Sequence, residues 1–82
     1  MKLPRDLSGP EFAKLLRRYG YEATRQVGSH VRLTSTIRGT QHHVTVPAHK
    51  ELRLGTLVRI LSEVAVYLEL PRADLERELF EH

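Results

Sequence analysis

Apolar residues recur along this chain in two rhythms, and the switches between them mark out its elements. Phe12, Leu15, Leu16 and Tyr19 keep the i, i+3, i+4, i+7 spacing of one helical stripe. Ser8 and Glu11 form a capping box ahead of it, and Pro10 suits a first helical turn. Gly20 ends this helix, as glycine commonly does just past a helical segment. The rhythm then changes to period two. Tyr21 to Val27 is rich in β-formers and predicts a first strand, broken by Gly28-Ser29. His30 to Ser35 alternates, with Val31 and Leu33 on one face and His30, Arg32 and Thr34 on the other. After a turn at Arg38-Gly39, Gln41 to Val46 predicts a third strand with Val44 and Val46 inward. Pro47 closes it, because proline has no N–H to give the ladder.

Helical spacing returns from about Gly55 to Tyr67 or beyond, where Leu57, Ile60, Leu61, Val64 and Leu68 repeat and Val58 and Ala65 widen the stripe. Pro71 can open a short last helix that docks Leu75, Leu79 and Phe80 on the body. Three strands with tight connections imply an antiparallel meander. Two helices on one of its faces give an α+β two-layer sandwich in the order α-β-β-β-α, the layout of a double-stranded-RNA-binding domain. No repeat or linker interrupts the pattern. Residues 1–82 are therefore expected to form a single domain, its core at about 8–67, with an acidic C-terminal helix at about 71–81.

Size limits what such a domain can do. An 82-residue chain buries only roughly 60–65% of the surface it exposes when unfolded. Any active site is then shallow, which disfavours cofactor enzymes built on a deep cleft. With no cysteine, disulfides, thiolate chemistry and cysteine-based zinc sites are excluded. No apolar run approaches the ~20 residues of a membrane span. The opening Met1-Lys2-Leu3-Pro4-Arg5-Asp6 lacks the apolar stretch of a secretion signal, so a cytoplasmic protein is expected.

Charge is divided unevenly. Residues 1–62 hold 11 Lys+Arg against 4 Asp+Glu, whereas residues 63–82 hold 2 against 6. A basic body suits a polyanion, because lysine and arginine displace counterions condensed on phosphates; it equally suits a merely solvated surface. Against that background His30 stands out, since period two puts it on the strand face away from Val31 and Leu33. Arg32 shares that face, and Arg25 and Lys50 are further cations expected nearby, able to neutralise a phosphate. Gly28 lets the backbone turn tightly, and Ser29 either orients the histidine, contacts phosphate or serves only the turn. Lys14, Arg17 and Arg18 on the first helix could follow a nucleic-acid backbone or simply be solvated. Adjacent His42 and His43 point to opposite faces of a strand and cannot easily share a metal, so no metal site is expected. With three Tyr, two Phe and no Trp, a stacking platform for single strands is also not expected.

Three pieces in this order resemble the HicA family of bacterial mRNA interferase toxins: Gly28-Ser29-His30 opening the second strand, Val46-Pro47-Ala48-His49 closing the third, and Leu54-Gly55-Thr56-Leu57-Val58-Arg59-Ile60-Leu61 opening the second helix. The similarity spans roughly residues 8–67. It implies a double-stranded-RNA-binding-domain-like fold and a toxin that cuts mRNA without a cofactor or metal, arresting translation. It also implies a partner antitoxin, HicB, that holds the toxin inactive and can join it in a higher-order complex. The histidine of the Gly-Ser-His motif is the family's catalytic residue, which maps onto His30; His49 matches a second common histidine, as general acid, phosphate contact or loop cap. Members are usually shorter, with a glycine near the end of the second helix that this chain lacks. The alternative reading is a non-catalytic RNA-binding module of the same fold.

Overall fold

In the computed structural model, which describes residues 3–81, the chain enters its first helix as the capping box requires. Ser8 Oγ accepts from the Glu11 N–H at 3.1 Å, and the Glu11 carboxylate accepts from the Ser8 N–H at 2.9 Å, which holds Glu11 below the usual carboxylate range. Helix α1 (Gly9–Leu16) runs into a 3-10 turn, Arg17–Tyr19, that stops at Gly20 in the left-handed region, φ 82°. Strands β1 (Glu22–Val27), β2 (His30–Ser35) and β3 (His42–Pro47) form an antiparallel sheet in that order, followed by α2 (Leu54–Leu68) and α3 (Arg72–Phe80). Met1, Lys2 and His82, at the ends of the expected 1–82 domain, lie outside the described residues.

Both long helices pack on the same face of the sheet. Phe12 and Leu16 from α1 meet Leu33, Val44 and Val46 from the strands and Leu57, Ile60, Leu61 and Val64 from α2. All nine are at most 3% exposed, and each such side chain contributes roughly 1.5–3 kcal/mol through burial. Helix α3 completes the core with Leu75 and Leu79 and ties itself to the first helical segment through Tyr19 Oη, which donates to the Glu78 carboxylate. Burial and that contact raise Tyr19 to about 12. The expected α+β architecture and its element order are therefore observed.

Three boundaries differ from the sequence pattern, each for a local reason. Strand β3 starts at His42, not Gln41, and keeps Pro47 as its last residue, where a missing N–H leaves little unpaired. Helix α2 starts one residue earlier, at Leu54, and runs to Leu68, capped by Glu69, a non-glycine residue in the left-handed region (φ 59°), whose carboxylate pairs with Arg38. Tyr21 precedes β1 and is fully buried. In a regular strand Tyr21 and Arg25, four apart, would share a face. A register shift between Ala23 and Arg25 breaks that parity. Ala23 pairs with Leu33 on the inner face while Arg25 pairs with Arg32 on the outer one. One bulge therefore seats Tyr21 in the core and keeps Arg25 outside.

Tyr21 anchors a cluster at the far end of the sheet from Gly28. Its hydroxyl lies 2.6 Å from His42 Nδ1, and His42 stacks on Tyr67 at a centroid distance of 4.7 Å. Tyr67 Oη in turn donates to the Thr40 carbonyl at 2.6 Å and accepts from the Arg38 N–H at 3.0 Å. Burial raises the Tyr21 phenol, so the phenol donates and neutral His42 accepts. Burial also lowers His42, opposed by Glu63 on α2 and reinforced by His43. A histidine depressed in the folded state contributes stability above its unfolded pKa of about 6.5, and that contribution is lost as pH falls below this value. Urea unfolding between pH 8 and pH 5 should therefore show declining stability, and His42→Gln should flatten the decline; an unchanged slope in the variant would contradict this account.

Candidate active site on the open sheet face

With helices covering only one side, the other side of the sheet is open. The register places Arg25 and Val27 of β1, His30, Arg32 and Thr34 of β2, and His43, Thr45 and Pro47 of β3 on it together. His30 is the first residue of β2, exposed, with Val27 as its partner on one side and Pro47 on the other. Arg32 follows on the same face, ~6.6 Å along the strand. Arg25 and Arg32 are direct cross-strand partners, an arrangement in which like charges repel. The ion pairs among the described residues, Arg38–Glu69, Arg59–Glu63, Arg72–Glu76 and Arg77–Asp74, include neither arginine. Arg32 Nε is moreover shielded from solvent without a hydrogen-bond partner among the described residues. Two uncompensated guanidiniums beside an exposed imidazole suit an anion, since each offers a planar fork that matches phosphate oxygens.

Gly28-Ser29 is the two-residue turn of the β1–β2 hairpin. Gly28 has φ 58° and Ser29 is not in the positive-φ region, the pattern of a type II′ turn, which calls for glycine in its first central position. A Cβ on Gly28 would meet nothing within 4 Å, so conformation alone demands glycine there. Ser29 enters through its carbonyl, which accepts from the Ala48 N–H at 2.6 Å and binds the turn to the loop after β3. The same loop is held from its other side, because the His49 carbonyl accepts from the Gly9 N–H at 2.9 Å. The His49 and Lys50 side chains are exposed on that loop, beyond Pro47.

The cations of α1 lie elsewhere. Arg17 and Lys14 line a groove of about 750 Å³ between α1 and the inner side of β1, with Ala13, Ala23, Gln26 and Val31. His30 is not part of it. His42 and His43 do diverge, to Tyr21 inside and Thr34 outside. Among the described residues no helix is long and apolar enough to cross a membrane.

A family model described as the HicA toxin of bacterial toxin–antitoxin systems matches residues 9–66, well over half the chain. The chain belongs to the HicA toxin family. Neither curated proteins nor solved structures gave a match. This HicA chain is accordingly a toxin of a toxin–antitoxin system, with an antitoxin as partner. The match stops inside α2, leaving α3 as an addition to the matched region.

One structural residue behind the candidate site escaped the sequence pattern. Gly9 lies against Pro47 and Ala48 so closely that a Cβ would overlap the Pro47 carbonyl oxygen. In the sequence it reads only as part of a capping segment; its closeness to a loop 38 positions later has no local signal. Gly9→Ala should destabilise the fold by about 3 kcal/mol through overpacking against backbone. Gly28→Ala should cost about 1 kcal/mol, from conformation alone. Urea midpoints of the two variants check the order; a larger loss at Gly28 would contradict the packing assigned to Gly9.

Proposed function

We propose that this toxin is an mRNA endoribonuclease acting through His30 on the open sheet face and arresting translation in consequence. The observation that carries the reading is the exposed His30 at the head of β2, one step along the strand from the uncompensated Arg25–Arg32 pair. RNA supplies its own nucleophile, the 2′-hydroxyl next to each phosphodiester. The protein therefore needs a base for that proton, positive charge on the phosphate and a fixed in-line geometry. That need is met without a metal or cofactor.

In the proposed step His30 accepts the 2′-hydroxyl proton as the 2′-oxygen attacks phosphorus, and the bond from phosphorus to the 5′-oxygen breaks. The leaving oxygen takes a proton, for which His49 is the candidate donor. The products are a 2′,3′-cyclic phosphate and a 5′-hydroxyl. Arg25 and Arg32 neutralise the charge that builds on the phosphoryl oxygens, and Lys50 adds charge from the loop. Gly28 and Ser29 act through the turn that holds His30 in place. The basic centre of the face also bears on its antitoxin: a HicB-like partner that meets the face with acidic groups would silence the toxin by covering His30.

His30→Ala should lower cleavage of a purified mRNA by at least ~10²-fold, the span of general acid–base catalysis. RNA affinity and the unfolding midpoint should stay near wild type. Arg32→Ala should weaken both affinity and cleavage. Chelator should leave the wild-type rate unchanged. Cleavage by His30→Ala at the wild-type rate would overturn the assignment, and RNA retention without cleavage by either protein would favour a non-catalytic binding module.

A further inference from the structure

Helices α1 and α2 leave part of the sheet's inner side uncovered. The groove of about 750 Å³ between α1 and β1 has room for several side chains and is lined mainly by apolar residues. Ala13 stands on its helix wall and Ala23 on its strand wall, both too small to fill it. Strand β1 is an edge strand, paired only with β2, and all six of its residues are exposed. The groove therefore opens along a free edge. An apolar hollow rimmed by charge is the mark of a partner site.

The charges at the rim say what kind of partner. Lys14 and Arg17 line the groove, are exposed, and enter no ion pair or side-chain hydrogen bond among the described residues. The other cations within the helical segments are engaged. Arg18 donates to the Glu78 carbonyl, and Arg59, Arg72 and Arg77 pair with Glu63, Glu76 and Asp74. Glu22 is the one acid in the lining, so cations outnumber acids there. An acidic occupant fits by charge, and an apolar one fits by shape. A second copy of this chain does not supply both together. Its acids are concentrated in residues 63–82, where Leu75 and Leu79 are already buried in their own core.

We propose that this groove anchors the antitoxin, through a segment that inserts an apolar side chain between Ala13 and Ala23 and sets carboxylates against Lys14 and Arg17. The anchor is separate from the candidate active site. Ala23 pairs with Leu33 on the inner side of the sheet, whereas Val27 pairs with His30 on the outer side, and His30 is not in the groove lining. Because β1 is an edge, one partner can pass round it and hold both sides. Gripping the toxin and covering His30 then become separable acts. The antitoxin follows from family membership, so the anchor does not depend on the ribonuclease reading.

The test uses the full chain and its purified antitoxin. The double variant Lys14→Glu, Arg17→Glu should weaken antitoxin affinity by at least ~10-fold, the low end for close charge pairs across an interface. Ala23→Leu, which fills the groove without changing charge, should weaken it as well. All three positions are exposed or on the groove wall, so urea midpoints should stay near wild type. RNA affinity and cleavage, read without antitoxin, should also be unchanged. The chain has no cysteine, so Gln26→Cys in the groove lining can carry a single photoreactive label. It should crosslink to an antitoxin peptide that sets an apolar residue among acids. Wild-type antitoxin affinity in both variants, or a crosslink only to a second toxin copy, would overturn the anchor. So would an equal loss of RNA affinity, which would make the groove a nucleic-acid surface. If wild type cuts no RNA but the variants lose antitoxin affinity, the ribonuclease reading falls and the anchor stands.

Discussion

Three backbone hydrogen bonds around the segment from Pro47 to Leu52 hold the parts of the site in one place. Ala48 N–H reaches the Ser29 carbonyl, Gly9 N–H reaches the His49 carbonyl, and Leu52 N–H reaches the Leu7 carbonyl. A buried or half-buried amide left unpaired is costly, so each bond fixes one segment against another. The hairpin turn that presents His30, the start of α1 and the loop bearing His49 and Lys50 become one seam. Gly9 is the condition for it: only a residue without Cβ lets the helix start lie flat against Pro47. Side chains on exposed loops ordinarily wander; here the loop backbone is clamped from both sides, which suits the role proposed for His49 and Lys50.

Stability and function are divided between the two faces of a single sheet. The inner face carries Leu33, Val44 and Val46 under two helices, and α3 adds Leu75 and Leu79 to the same core. The outer face accepts an unfavourable arrangement, two arginines as cross-strand partners and an arginine Nε without a partner among the described residues. Such a pairing costs a few tenths to about 1 kcal/mol. That cost is small beside the burial on the other face, and an anionic ligand would turn it into binding energy. Among the described residues the ion pairs that form involve Arg38, Arg59, Arg72 and Arg77, none of them on the open face.

What was legible in the sequence is what local physics dictates. The Ser8–Glu11 box, the stripe from Phe12 to Tyr19 and the alternation from His30 to Ser35 each follow from neighbours within a few residues. So does the Gly28-Ser29 turn, whose glycine-first order matches its backbone. The bulge at Thr24 was not legible, because it arises from a competition between distant demands: Tyr21 is drawn into the core by His42 and Tyr67 while β1 keeps its pairing with β2. Gly9 was read as a capping neighbour and not as a packing contact for the same reason. The contacts of Thr34 Oγ1 with Thr24 Oγ1 and His43 Nδ1, 2.8 Å each, depend on that bulge and on the β2–β3 register, so period two alone places Thr34 and His43 on faces but does not join them.

A flat face constrains the mechanism as much as the residues on it do. Without an enclosed cavity the site cannot gain from excluding water, so the reaction proposed for it draws on position and charge: a fixed imidazole, two guanidiniums and a strand of RNA held in register. Each is sensitive to geometry, and the seam behind Ser29 and Ala48 supplies that geometry from outside the reacting groups. The same flatness bears on inhibition. A deep cleft must be plugged, but an open three-stranded face with a basic centre can be covered by any protein surface of matching shape and opposite charge. For a toxin whose partner is an antitoxin, a site that is easy to cover is as useful as one that is easy for RNA to reach.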